Sequence, residues 1–365
     1  MGMEKTVAIQ SAKAFVAVHC GAGFYASHNN SLFISLCRSV CSEVLRTLEN
    51  GSSAVEAVCA AVVALENNPL TNAGVGSNLT RDGTVECDAS VMESSNNLFG
   101  ACGAVKGVKN PVLLAREILH QQMSPRDGLV APMIFVGDGA VQFAKSQNVE
   151  TVDLSFHQTE PRLKKYNEKK RSLHCVDTST ASGAPNDAES ELDTVGAIVV
   201  DMHGVIAVAS SSGGVAFKYS GRIGQAATYG AGIWCETVGA DGFACCVSGT
   251  GEQIIQTSLA KAFCDALQQD DVSLESEKEL PAAIRVTWVH WCCRFQTGCS
   301  QPKDFCMWFI LLRDSVGRWL AVTVKILRRN SVVFFFPGML PVPLMCKAWL
   351  CWDILYNSKF LKTTI

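Results

Sequence analysis

Apolar positions along the 365 residues alternate between a period of two and a period near 3.6, and the changes mark the elements. Phe15-Val16-Ala17-Val18-His19 reads as a short buried strand, with Cys20-Gly21-Ala22-Gly23 as a tight turn after it. Leu32, Leu36, Val40, Val44 and Leu48 recur every fourth residue, so Ser31 to Asn50 reads as a helix stopped at Asn50-Gly51. Ser53 with Glu56 forms a capping box for a second helix, Ala54 to Leu65, whose Ala and Val content places it between other elements. Residues 67–78 carry too much Asn and Gly for a regular element and predict a loop. Thr84 to Met92 and Phe99 to Val105 predict strands joined by a polar turn. Pro111 to Gln121 predicts a helix, Met133 to Val136 a strand and Ala140 to Ser146 a short helix. Cys175 to Ser190 is poor in apolar residues and reads as a flexible loop. Val195 to Val200 and Val205 to Ala209 follow as two strands around His203-Gly204, then a Gly-rich region and a helix from Glu252 to Gln268. Strands gathered together with few βαβ alternations predict an α+β sandwich.

Composition narrows the function classes. A net charge of -3 gives no basis for direct nucleic-acid binding or attraction to a membrane surface. The 17 cysteines are scattered, and Met1 to Ala14 lacks an apolar h-region, so reduced thiols in a cytosolic or nuclear protein are expected. Cys20, Cys59 and Cys87 lie in or beside apolar or Gly-rich runs and are expected to be buried. From about Asp271 the composition shifts, with Trp288, Trp291, Trp308, Trp319, Trp349 and Trp352 all in this last part. Ser331 to Cys346 is uncharged but holds Pro337, Pro341 and Pro343, a poor membrane span. Cys292, Cys293, Cys299 and Cys306 lack paired zinc-ligand spacing, so no metal site is expected there.

The chemistry concentrates at Asp193-Thr194, where a polar segment meets an apolar strand. A threonine hydroxyl becomes reactive when its own α-amine is freed to act as general base, which requires a cut before Thr194. Read alone, Thr194 merely opens a strand. Downstream, however, Ser210-Ser211-Ser212-Gly213-Gly214 offers hydroxyls, and Lys218 and Arg222 offer cations for a carboxylate. Ser248-Gly249-Thr250-Gly251-Glu252 offers backbone N–H groups at a helix start for an oxyanion. Each piece alone has a structural reading, Arg222 as a surface residue and Gly-Thr-Gly-Glu as a helix cap. Their order after an Asp-Thr junction favours a single site.

The pattern D-T-V-G-A-x-x-x-D, S-S-G-G, G-R-x-G and S-G-x-G-E resembles the threonine-dependent, asparaginase-type N-terminal nucleophile hydrolases. Upstream, V-H-x-G-A-G at Val18 to Gly23, L-E-x-x-P-x-x-N-A-G-x-G-S-N at Leu65 to Asn78 and E-C-D-A-S-x-M at Glu86 to Met92 match as well. Within that family the chain is most similar to the threonine aspartase (taspase) endopeptidases, from about Phe15 to about Ala266. The resemblance implies a four-layer αββα sandwich and autoproteolysis between Asp193 and Thr194. Residues 1–193 would form an α subunit and 194–270 the catalytic part of a β subunit, with 271–365 a divergent tail of unclear fold. It implies Thr194 as nucleophile, Ser212 holding its hydroxyl, Arg222 binding a substrate carboxylate, and Ser248 and Gly249 at the oxyanion hole. Gly251 would touch substrate and Asn72 would lie near the nucleophile. No cofactor is implied, save a structural sodium ion at the Leu65 to Val75 loop, and αβ units would self-associate.

Gln225 separates family members. Asparaginases carry an aspartate after G-R-x-G, suited to a free α-ammonium. Facing a peptide bond, a buried carboxylate would be unpaired and costly, whereas an amide can hydrogen-bond a peptide. Gln225, with Lys218 and Arg222 nearby in sequence, therefore points to an endopeptidase cleaving proteins after aspartate. Arg162 to Arg171, with six basic residues in ten, is either a solvated face or a patch for a nuclear-import receptor, which would give nuclear and cytoplasmic residence. The alternative enzyme is an asparaginase or isoaspartyl peptidase. A tail that does not resemble further β-subunit strands makes an inactive binding protein the alternative outside enzymology.

Overall fold

The computed structural model describes residues 14–20, 30–123, 128–176, 194–238, 241–268, 307–313, 319–327 and 331–334. Strands β1 (Phe15–His19), β2 (Cys87–Glu93), β3 (Phe99–Val105), β4 (Ile134–Val136), β5 (Val195–Val200) and β6 (Ile206–Ser212) form a mixed sheet in the order β1-β5-β6-β2-β3-β4. Only the β3–β4 pairing in it is parallel. A second, antiparallel sheet contains β7 (Ile233–Val238), β8 (Asp241–Ser248), β9 (Met307–Arg313), β10 (Trp319–Leu327) and β11 (Ser331–Phe334). With helices α1 (Asn30–Glu49), α2 (Ala54–Glu66), α3 (Pro111–Met123), α4 (Gly137–Ser146), α5 (Glu160–Val176), α6 (Gly251–Thr257) and α7 (Leu259–Gln268), the class is α+β, as expected.

Strand parity sorts the side chains of the first sheet. Val195, Ala197 and Val199 of β5 and Ala207 and Ala209 of β6 face a core shared with α1, α2 and α3. Ile198, Val200, Ile206 and Val208 face a second core, with β7, β8 and α7. Both central strands are buried on both faces, which is why they read as near-continuous apolar runs. Ser53 caps α2 through the Glu56 N–H at 3.3 Å, as its sequence predicts. Asp201 ties α2 to the sheet: its Oδ2 accepts from the Ala54 N–H at 3.2 Å. Its Oδ1 accepts from the His203 and Val205 N–H groups and so closes the β5–β6 turn. Gly196 is required where the layers approach, since a Cβ there would stand 2.2 Å from Cys246 Sγ and 2.4 Å from His19 Nε2.

Several expectations change. The Gly-rich region after Arg222 contains β7 and β8, whose Cys, Ala and Gly residues hide their strand character. The helix expected from Glu252 to Gln268 is two helices, broken where Ser258 takes a left-handed φ of 46°. Ser210 to Ser212 lie within β6 rather than after it. In the tail, whose fold the sequence left unclear, β9 pairs with β8, and β10 and β11 follow; the near-continuous β-formers of Met307–Arg313 and Trp319–Leu327 suit a sheet. Cys175 and Val176 belong to α5; residues 177–193, including Asp193, and the expected turn at residues 21–23 lie outside the described residues, as do Cys292, Cys293, Cys299 and Cys306. Ten cysteines with described side chains are buried and form no disulfide among themselves.

Glu66, the last residue of α2, is fully buried, and its Oε1 accepts from the Val112 N–H in the first turn of α3 at 3.0 Å. Burial pushes its carboxyl up from 4.5 to about 7, with hydrogen bonds opposing part of the shift. The unfolded chain therefore ionises Glu66 first, and its contribution to stability, complete below the unfolded pKa, is lost as pH rises through the folded one. The full loss is about 3 kcal/mol. Glu66→Gln should show a smaller decline in stability between about pH 4.5 and 7 than the parent chain, measured as urea midpoints at matched pH.

Candidate active site

Thr194 immediately precedes β5, and β5–β6 register decides what it meets. Val195 pairs with Ser211, so the next position sets Thr194 beside Ser212. Both residues have the parity that faces the second sheet, whereas Ser211 faces the helices. The geometry follows: Thr194 Oγ1 donates to Ser212 Oγ at 3.3 Å and accepts from Gln225 Nε2 at 2.7 Å. The Thr194 N–H donates to Ser248 Oγ at 3.3 Å, at the end of β8. Residues from β6, a 3-10 turn (Gln225–Ala227) and the second sheet thus converge on Thr194, which is 3% exposed.

Arg222 lies between Gln225 and Glu252. Its Nε donates to Glu252 Oε1 at 2.8 Å, while Nη2, equally near that oxygen but poorly aligned, has no hydrogen-bond partner. Nη2 is thus a buried donor that flanks Gly251 together with Gln225, and it is suited to a carboxylate. Gly251 is needed because a Cβ would stand 2.6 Å from Arg222 Nη2 and 2.7 Å from Gln225 Oε1. Gly249 joins Ser248 to the start of α6, beside the Ser248 hydroxyl that holds the Thr194 N–H.

Two further candidates have partners of their own. Lys218 turns inward: its Nζ donates to Glu86 O at 2.9 Å and stands 3.9 Å from Asp88 Oδ2, so it supports the site rather than lining it. Asn72 does not hydrogen-bond Thr194; its Oδ1 accepts from the Asn78 N–H and its Nδ2 donates to Gly214 O. Gly214, at φ 72°, returns its own N–H to Ser212 Oγ at 3.0 Å. Asn72 is a clamp on the turn beyond β6. Sequence reasoning gave no role to Asp88, whose Oδ2 accepts from the Gly224 N–H at 2.9 Å and Oδ1 from the Ala104 N–H. The signal was available, since an aspartate inside an apolar strand must be satisfied locally.

Other chemistries are less well supported. His19 Nε2 lies 3.2 Å from Cys246 Sγ, but burial lowers the imidazole to about 3 and raises the thiol, so the pair is neutral and not a thiolate nucleophile. Among the described residues no group of His, Cys, Asp and Glu could hold a metal ion. The Leu65 to Val75 loop differs in kind: the carbonyls of Leu65, Asn68 and Ala73 converge on the Thr71 hydroxyl at 2.8, 3.1 and 3.4 Å. No described helix is long and apolar enough to cross a membrane.

Residues 12–281 match the family model described as Asparaginase. The isoaspartyl peptidase of Salmonella typhimurium is 35% identical over 267 residues, 72% of this chain and 81% of its own. The human isoaspartyl peptidase/L-asparaginase is 36% identical over 215 residues, 59% of this chain and 63% of its own. The plant-type L-asparaginase of Thermococcus kodakarensis is 35% identical over 244 residues, 66% and 73% of the two chains. These relatives carry asparaginase and isoaspartyl peptidase names, so the narrower likeness to threonine aspartases is not what they support.

Gly251→Ala should cut turnover of a cleavable substrate about 10²-fold by displacing Arg222 and Gln225, the size of effect a misplacement of about 1 Å produces. Its melting temperature should stay near the parent value, because alanine favours a helix start at least as well as glycine. Parallel turnover and melting measurements check both halves.

Proposed function

The chain belongs to the asparaginase family of N-terminal nucleophile hydrolases, and on that premise we propose that it is a threonine endopeptidase that cleaves itself before Thr194 and then cleaves proteins after aspartate. The three hydrogen bonds that converge on Thr194 carry this reading. In the intact chain Thr194 Oγ1 attacks the Asp193 carbonyl carbon, and the C–N bond breaks as its nitrogen takes a proton. The resulting ester is hydrolysed by water, which leaves the Asp193 carboxylate and a free amine on Thr194. That amine, already placed by Ser248, accepts the hydroxyl proton when Oγ1 next attacks a substrate carbonyl. Ser212 and Gln225 fix the hydroxyl, backbone N–H groups at Ser248 and Gly249 face the oxyanion, and Arg222 Nη2 takes the substrate aspartate. Expulsion of the new amine and attack by water return the enzyme.

Gln225 favours a peptide over a free amino acid. Its amide donates to the nucleophile, and Glu252, the carboxylate at Arg222, is engaged by that guanidinium. No carboxylate stands at position 225 to receive an α-ammonium. The second reading, an isoaspartyl peptidase or asparaginase, is favoured by the names of the relatives. The endopeptidase reading also carries a four-layer αββα arrangement and self-associating αβ units. A sodium ion at the Leu65 to Val75 loop would fix the segment that presents Asn72. Nuclear and cytoplasmic residence would follow from an import receptor on exposed Lys164, Lys165, Lys169, Lys170 and Arg171 of α5; Arg162, which is buried, would not join that contact.

A denaturing gel of purified protein should show two fragments that meet at Thr194, and one full-length band for Thr194→Ala. The cleaved protein should hydrolyse a peptide with an internal aspartate and release little ammonia from asparagine or product from a β-aspartyl dipeptide. Gln225→Asp should move preference toward those small substrates. A parent chain that prefers them already would replace the first reading with the second.

A further inference from the structure

Arg162 is the first residue of the basic run, yet it is 8% exposed and directed away from the solvent face of α5. Its Nε donates to Gly76 O at 2.7 Å and its Nη1 to Asn78 Oδ1 at 3.1 Å. Asn78 uses its other side-chain atom, Nδ2, to donate to Gly214 O at 2.9 Å, the carbonyl that Asn72 Nδ2 also meets. The Gly213 N–H donates to Asn72 O at 2.7 Å, and the Gly214 N–H donates to Ser212 Oγ. Ser212 in turn accepts from Thr194 Oγ1. A continuous series of hydrogen bonds therefore runs from α5 to the nucleophile.

We propose that Arg162 is a positioning residue for Thr194, acting through Asn78 and the Gly213-Gly214 turn on Ser212. The proposal rests on Thr194 being the nucleophile. The chemistry of each member explains why these residue types occur. Arginine can satisfy two acceptors at fixed angles, and a lysine ammonium cannot reproduce that planar fork. With Arg162 bound to its Oδ1, Asn78 has its amide orientation set, so Nδ2 must point to Gly214. Gly214 is held at its carbonyl by two asparagines, which fixes its positive φ and so aims its N–H at Ser212. The carbonyl and N–H of Gly214 belong to different peptide units, so what passes along the series is conformation rather than bond polarisation. Ser212 Oγ accepts from both Gly214 and Thr194, so a tilt of the turn moves the oxygen that orients the nucleophile. Tyr166, one turn further along α5, donates to Arg81 O at 3.0 Å, and the Arg81 N–H donates to Lys218 O. The same helix thus also braces the segment that leads to Arg222.

The test compares full-length Arg162→Ala, Arg162→Lys, Ser212→Ala and the Arg162→Ala/Ser212→Ala double variant, with Lys169→Ala as an exposed control on the same helix. Arg162→Ala is expected to lower kcat about 10²-fold, by analogy with other small misplacements, with KM nearly unchanged because Arg222 is intact. Arg162→Lys should recover only part of that loss, and Lys169→Ala none should be lost. Because Arg162 acts through Ser212, its removal from Ser212→Ala should cost far less than from the parent, whereas general destabilisation would cost the same in both. Hydrogen exchange supplies a readout independent of activity: Arg162→Ala should speed exchange of the Gly214 N–H while β5 amides stay protected. Unchanged Gly214 exchange, or additive losses in the double variant, would overturn the proposal. An inactive parent chain with Gly214 exchange released by Arg162→Ala would instead sink the hydrolase reading and leave the coupling standing.

Discussion

Strand parity is the constraint on which the site depends. A threonine placed before β5 reaches Ser212 only because β5 and β6 pair with Val195 opposite Ser211. A slip of one residue would turn Thr194 toward the helices and present Val195 between the sheets. The register is held by apolar residues of opposite parity in two separate cores, so the same burial that stabilises the fold sets the position of Thr194. Glycine at 196 extends the constraint, because the two sheets can meet near Thr194 only where one side chain is missing.

Around that hydroxyl the hydrogen bonds have a definite direction. Thr194 gives its proton to Ser212 and receives one from Gln225, and these two bonds leave one lone pair of its oxygen unused. A carboxylate at position 225 could only accept and would compete with Ser212 for the same proton. Position 225 therefore affects both the orientation of the Thr194 hydroxyl and the charge beside it. Lys218 and Asp88 lie behind this front and keep the Gly224 turn in place, which is why an inward-facing lysine still matters to the site.

The parts most legible in the sequence were those with local causes. Ser53 and Glu56 marked the start of α2, the Asn and Gly residues of 67–78 marked an irregular loop, and hydroxyls and glycines in order marked Thr194, Ser212 and Ser248 as one group. What escaped had causes distant in the chain. Strands β7 and β8 are buried on account of neighbours that their Ala, Cys and Gly residues do not announce. Arg162 looked like one charge among six, and only the loop 86 residues away shows why it is buried. Asn72, placed near Thr194 only by resemblance, clamps the turn behind Ser212.

The sheet order β1-β5-β6-β2 places strands from after residue 193 between strands from before it. A chain cut at that point yields two polypeptides woven into one sheet, with a strand boundary on either side of the inserted pair. Neither could diffuse away without unzipping β1 from β5 and β2 from β6, and each would leave behind half of a core. The pair would behave as one cooperative body whose covalent continuity is no longer needed. Such a cut would change the chemistry of one nitrogen while leaving intact the architecture that positions it.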